Sequence, residues 1–133
     1  MFYQTGGYHS GHCISLQHCY RITLKKDMDR FSANYEKINK SLFQARNCHC
    51  SIIINKKLYI LGGVETNENK KTLLKSVECY NIQTREWSMK APMNYARKNF
   101  SAFLFNNKIW AVGFNQFLES YCIETNKWIE EMT

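Results

Sequence analysis

The stretch HSGHCISLQHC, residues 9–19, is the richest in groups able to do chemistry: His9, His12, Cys13, His18 and Cys19. Imidazole and thiolate are the ligands of zinc, and structural zinc sites draw them from closely spaced pairs. Here the spacings form no pair of Cys-x2-Cys knuckles, and no second cluster matches them. Cys48-His49-Cys50 is the other concentration, and it runs into an apolar strand pattern. The reading is therefore no metal and no cofactor. Nucleophilic catalysis needs a Ser or Cys beside a base, and no Gly-x-Ser-x-Gly elbow is present. Gly6-Gly7 and Gly62-Gly63 are not followed by the Lys-Ser/Thr of a phosphate loop. The acidic residues are scattered, and no carboxylate pair stands out. No catalytic residue is assigned, and the chain reads as a non-enzyme. Arg46 and Arg97 remain. Each stands at the head of an apolar run, suited either to bonding loop carbonyls or to contacting an acidic peptide.

The chain has 133 residues, enough for one small domain, and 44% of them are hydrophobic. The net charge is +7, and lysines sit in pairs at loop positions: Lys25-Lys26, Lys56-Lys57 and Lys70-Lys71. That pattern is a solvated surface rather than a nucleic-acid face, and it suits acidic protein partners. No apolar run is long enough to span a membrane, and no leader pattern opens the sequence. The six cysteines, with Cys79 and Cys122 inside strand patterns, read as free thiols of a reducing, cytoplasmic setting.

The elements that would position these residues recur. ARNCHCSIIINKKLYILGG (45–63) overlays ARKNFSAFLFNNKIWAVGF (96–114), and VECYNIQTREW (77–87) overlays LESYCIETNKW (118–128). Arg46 and Arg97 stand 51 residues apart, as do Gly62 and Gly113, whereas Trp87 and Trp128 stand 41 apart. The second copy is thus about ten residues shorter after its glycine. Isoleucines 52–54 read as an inner strand buried on both faces. Asn55-Lys56-Lys57 and Asn106-Asn107-Lys108 read as hairpin turns. Second strands follow at 58–61 and 109–112, and third strands at 77–82 and 118–123. Tyr80 and Tyr121 each precede a tryptophan by seven residues, the packing anchor of a fourth strand. The N-terminal part is a weaker third copy. Met1 to Thr5 supplies its second strand and Gly6-Gly7 its glycines. LQHCYRI (16–22) stands for 77–82, Tyr35 stands for the tryptophan, and an insertion lies between residues 20 and 35.

A period of about 50 residues holding strand, Gly-Gly, strand, Tyr and Trp resembles the kelch repeat, one blade of a β-propeller. The Gly62, Gly63, Tyr80, Trp87 set carries the likeness, with Gly113, Tyr121 and Trp128 in the next copy. Trp87 followed by Pro92-Met93 and Arg97 resembles the kelch-like family that carries BTB domains. The resemblance implies an all-β fold: an incomplete β-propeller of two full four-stranded antiparallel blades (47–95 and 96–133) after a partial, divergent first blade (1–46). Because known propellers close with about four to eight blades, the expectation is a piece of a longer protein, completed by further blades or by self-association.

The same resemblance implies a protein-interaction module, presenting substrates to a cullin-type ubiquitin ligase through domains outside this chain. Actin or cytoskeletal binding and a kelch-fold enzyme are the alternatives. Recognition falls to loops on one end of the blades. These are the segment between second and third strands, with Asn67, Glu68, Lys70, Lys71 and, in the shorter copy, Asn115. The blade-to-blade linkers add Arg46, Asn47, Tyr95, Arg97 and Lys98.

Overall fold

In the computed structural model, residues 2–6, 8–9, 14–15, 17–38 and 42–131 are described. Gly7, His12 and Cys13 lie outside them. Every regular element among the described residues is a β-strand. The first sheet orders β1 (Phe2–Thr5), β4 (Cys19–Asp27) and β5 (Arg30–Lys37). Between β1 and β4 a short pair forms from β2 (Tyr8–His9) and β3 (Ile14–Ser15). The second sheet is a four-stranded meander of β6 (Cys50–Ile54), β7 (Lys57–Asn67), β8 (Lys70–Asn81) and β9 (Glu86–Lys90). The third repeats it with β10 (Ser101–Phe105), β11 (Lys108–Gly113), β12 (Asn115–Cys122) and β13 (Lys127–Glu131). All ladders are antiparallel. The fold is an incomplete propeller: two four-stranded blades and a three-stranded one.

Local chemistry explains the turns. Asn55 and Lys56 (φ 50° and 59°) and Asn106 and Asn107 (φ 49° and 59°) take the paired left-handed conformation of a two-residue hairpin. Arg85 and Asn126 are left-handed in the turns before β9 and β13. In the first of these turns Asn81 Oδ1 accepts from the backbone amides of Gln83 and Thr84, at 3.0 and 3.1 Å.

Three expectations change. Residues 64–76 are not a loop: β7 and β8 continue as a ribbon to a turn at Glu68-Asn69. Val64 and Thr66 bury their side chains on one face of it, and Leu74 on the other. Asn115–Phe117 likewise belongs to β12, which begins one residue after a reversal at Phe114. The ten extra residues of the second blade therefore lengthen both arms of one hairpin. The insertion at 20–35 is also a hairpin, turning at Met28-Asp29. Its register shifts one alignment by two residues. Gly6 (φ 58°) corresponds to Gly62 (φ 57°). The Phe2↔Ile22↔Tyr35 row then corresponds to Leu58↔Tyr80↔Trp87. Tyr35 does stand in the tryptophan place, but Ile22 holds the place of Tyr80, and Tyr20 that of Glu78.

Two apolar clusters join the blades. Cys19 and Leu42 pack on Leu58, Ile60 and Tyr80, with Tyr3 and Trp87 against them. Between the second and third blades, Ile54, Tyr59, Leu61, Val77 and Cys79 meet Ile109, Ala111 and Tyr121, with Trp128 against them. Side chains alternate along each strand, so each blade shows one face to its predecessor and one to its successor. The successor-side face of the third blade, with Phe103, Phe105, Val112 and Ile129, is exposed. So are Leu24, Phe31 and Tyr35 on the first blade.

Candidate interaction surface

Each blade-to-blade linker is held by a buried arginine. Arg46 and Arg97 are both 0% exposed, as are their partners Glu78 and Glu119. Arg97 Nη2 and Nε donate to Glu119 Oε2 at 3.0 and 3.2 Å, and Nη1 and Nη2 donate to the carbonyls of Gly113 (2.9 Å) and Phe117 (2.7 Å). Arg46 Nη1 donates to the carbonyls of Gly62 (2.7 Å) and Ser76 (3.3 Å), and Nη2 donates to Glu78. Each glutamate also receives the amide three residues before its arginine: Phe43 N on Glu78 and Asn94 N on Glu119, both at 2.6 Å. These charge-assisted bonds satisfy the Arg97 guanidinium at Nε and at both Nη atoms, whereas Arg46 engages through its two Nη atoms and its buried Nε has no partner. Burial pulls the Arg46 guanidinium below its usual range, and the Glu78 carboxylate opposes that pull.

The linker backbone grips the preceding blade. Gly63 N donates to Arg97 O at 2.7 Å, and Arg97 N donates to Leu74 O at 3.1 Å. Arg97 therefore holds the second blade by its main chain and the third by its side chain. A Cβ on Gly62 would lie 2.7 Å from Arg97 O, and one on Gly63 would lie 2.5 Å from Asn47 O. These glycines make the close approach possible. Gly6 makes the equivalent approach to Arg46 O. Asn47 exchanges both backbone bonds with Val64, at 2.8 and 2.9 Å, and is buried.

Arg46, Asn47 and Arg97, expected among the partner-contacting residues, are buried in this structure. Their side chains face the blade interior because the linker must cross the sheet ends without leaving carbonyls or carboxylates unsatisfied. The residues that remain at solvent are the tip of the β7–β8 ribbon, with Asn67, Glu68, Lys70 and Lys71 exposed. Beside the third blade Tyr95 stacks on Phe117 (4.0 Å, 4°) and its hydroxyl donates to Glu130 at 2.6 Å. Lys98 and Asn115 are half-buried nearby in sequence, and Asn115 Oδ1 receives Phe117 N at 3.0 Å. All of these stand at the linker end of the blades. The tip of the ribbon belongs to the second blade, and Tyr95 packs on the third.

Glu78 and Glu119 were missed by sequence reasoning. The signal was in the overlay: both glutamates are in register between VECY and LESY, as the arginines are between the two Ala-Arg pairs. A charge repeated inside an apolar strand is paired, since an isolated one is prohibitively costly there. The anchors behave as the repeat suggests. Tyr80 lies 4.9 Å from Trp87 and Tyr121 5.2 Å from Trp128, ring centre to ring centre. Trp128 Nε1 donates to Ala91 O at 2.9 Å.

No three His, Cys, Asp or Glu side chains among the described residues come together as a metal site. Cys19, Cys48, Cys50, Cys79 and Cys122 are free thiols.

Known proteins share this arrangement. Residues 45–94 match the family model of the Kelch motif. The human Kelch repeat and BTB domain-containing protein 12 is 28% identical over 94 residues, 65% of this chain and 15% of that protein. Kelch-like protein 40 of Xenopus tropicalis is 35% identical over 91 residues, 64% of this chain and 14% of that protein. Kelch repeat protein C2 of camelpox virus is 28% identical over 95 residues, 68% and 18%. The chain thus spans less than a fifth of these relatives. The solved structure of YjhT superposes with a TM-score of 0.71 over 98% of this chain and 51% of that one. At 16% identity, that likeness speaks to fold alone. A Kelch motif at residues 45–94, similarity to kelch-like proteins over about two thirds of the chain and repeated four-stranded blades together show the fold of a partial β-propeller similar to those of kelch-repeat proteins.

Proposed function

We propose that this chain is a protein-interaction module whose blades form a rigid base for the loops at their linker end. In its full context it selects substrates for a cullin-type ubiquitin ligase. One observation supports this best: the ion pairs most able to do acid–base work are consumed in holding blades together, while the uncommitted charges stand on a projecting hairpin. A buried Arg–Glu pair has no access to a substrate. Lys70, Lys71 and Glu68 on the β7–β8 tip have it.

Charge reversal of the ribbon tip tests the reading. Lys70→Glu with Lys71→Glu, made in the full-length protein in cells, should abolish proximity labelling of its protein partners. Melting of the chain and recovery of the cullin should not change. Partners retained by the reversed tip would overturn the assignment of the loops. Cosedimentation with filamentous actin, without any cullin, would replace the ligase reading with a cytoskeletal one.

A further inference from the structure

The two clefts between successive blades are built from the same rows, yet one is sealed and the other open. Between the second and third blades, Asn126 Oδ1 closes the turn end. It accepts from the Tyr121 hydroxyl at 2.7 Å and from Ala91 N at 2.9 Å, and Trp128 Nε1 adds its bond to Ala91 O. In the preceding copy the residue at the Asn126 position is Arg85, with the same left-handed backbone (φ 60° against 53°). A guanidinium only donates. Among the described residues, no side-chain acceptor at the Arg85 position ties Tyr80 to the linker as Asn126 ties Tyr121. A cavity of about 480 Å³ lies there, within the range of small-ligand sites.

Its chemistry is two-sided. Tyr3, Tyr80, Ile38 and Ile82 form an apolar base, with the two tyrosine rings 6.4 Å apart. Burial pushes both tyrosine hydroxyls above their usual range, so they stay protonated donors. Around this base stand Arg85 and Lys37, the Arg21–Glu36 ion pair, and Glu86. The cations outnumber the carboxylates, and one of the two carboxylates is already engaged by Arg21. The β4–β5 ribbon continues past the cavity. Its register puts Arg21, Thr23 and Lys25, opposite Glu36, Asn34 and Ser32, on one side. That is the side of Arg21, which lines the cavity, so the ribbon extends the site as a polar wall.

We propose that this cleft is a binding site for an acidic peptide segment of a protein partner. An aliphatic side chain would rest on the tyrosine floor, and a carboxylate would accept from Arg85 and Lys37 where Asn126 Oδ1 accepts in the sealed cleft. The site lies between the β8–β9 turn of the second blade and the end of β5, and uses none of the residues assigned to the loops. It stands even if the ribbon tip of the second blade binds nothing.

The probe is a fluorescein-labelled peptide, acetyl-Ala-Leu-Glu-Glu-Leu-Asp-amide, with its Gln/Asn counterpart as neutral control. Both are titrated into the full chain and read by anisotropy and by backbone amide chemical shifts. The acidic peptide is expected to bind at least tenfold tighter than the neutral one and to shift Lys37, Tyr80 and Ile82. Arg85→Asn, which copies the residue of the sealed cleft, should weaken binding at least tenfold with melting unchanged. Lys70→Ala, on the ribbon tip, should leave it unaltered. Arg85→Asn binding within twofold of the parent, equal binding of the two peptides, or shifts confined to the linker end would each overturn the proposal.

Discussion

The second and third blades are two solutions to the same problem. Leu58 and Ile109, Ile60 and Ala111, Tyr80 and Tyr121, and Glu78 and Glu119 occupy matching rungs. Arg46 and Arg97 enter them alike. The copies diverge at their ends. The β7–β8 ribbon runs on where β11–β12 turns at Phe114, His49 stands where Phe100 stands, and Arg85 replaces Asn126. What holds one blade to the next recurs. What meets solvent or closes a cleft differs. Stability and specificity therefore sit on separate residues here, and the differences can be swapped between copies to test each role.

The largest effect should come from the shared part. Arg97→Ala leaves the fully buried Glu119 carboxylate without its cation and strips acceptors Gly113 O and Phe117 O of their donor. Breaking a buried pair by removing one partner costs about 3–5 kcal/mol. The same loss is expected for Arg46→Ala, because Glu78 is equally enclosed. Urea midpoints for the two variants that fall by unequal amounts would show that the two latches are not equivalent.

Gly63→Ala comes next. It introduces a side chain at φ 98° and 2.5 Å from Asn47 O, combining left-handed strain of about 1–2 kcal/mol with overpacking of about 1–3 kcal/mol. The expected destabilisation, about 3 kcal/mol by thermal melting, would be contradicted by a melting temperature within a degree of the parent.

The pH response separates the interfaces. His49 lies between Thr5, which meets its Nε2 at 2.8 Å, and the buried Arg46 guanidinium. Burial first, and Arg46 second, bring its pKa from 6.5 down to about 4. The folded state therefore binds fewer protons than the unfolded one. The stabilisation is complete above pH 6.5 and is lost as the pH falls toward 4, a change of about 2–3 kcal/mol. His49→Phe, which installs the Phe100 solution, should flatten the denaturant midpoint across that window. An unchanged slope with pH would move the acid sensitivity to another group.

Much of the blade plan was legible because turns and packing anchors are local. Asn55-Lys56, Asn106-Asn107, Gly62, Trp87 and Trp128 announce themselves by residue type and spacing. The β7–β8 ribbon was not read, although Val64, Thr66, Thr72 and Leu74 carry strand-forming side chains, because the charges from Glu65 to Lys71 outweighed them. In a two-stranded ribbon, charge on the solvent-facing outer rungs is ordinary. The latch was read as half a pair: the arginines stood out, while the glutamates were hidden among apolar neighbours. The open cleft could not be read, since it depends on what Arg85 fails to accept from a neighbouring blade.

The smallest effect concerns Phe114, the counterpart of Gly63. Its φ of 72° places a large side chain in the left-handed region, which costs a non-glycine residue about 1–2 kcal/mol. Nothing in its burial compensates, for the ring is 48% exposed. It stands where β11 and β12 reverse on this one residue, between Gly113 and Asn115, whereas Gly63 lies within the continuing ribbon against a linker carbonyl, that of Asn47. Phe114→Gly should release the strain and lose part of the gain to the greater freedom of glycine in the unfolded chain. The net stabilisation should reach at most about 1 kcal/mol, opposite in sign to Gly63→Ala. A melting temperature lowered by Phe114→Gly would mean that the ring contributes packing across the open face of the third blade, and that the two positions differ by more than the carbonyl that faces one of them.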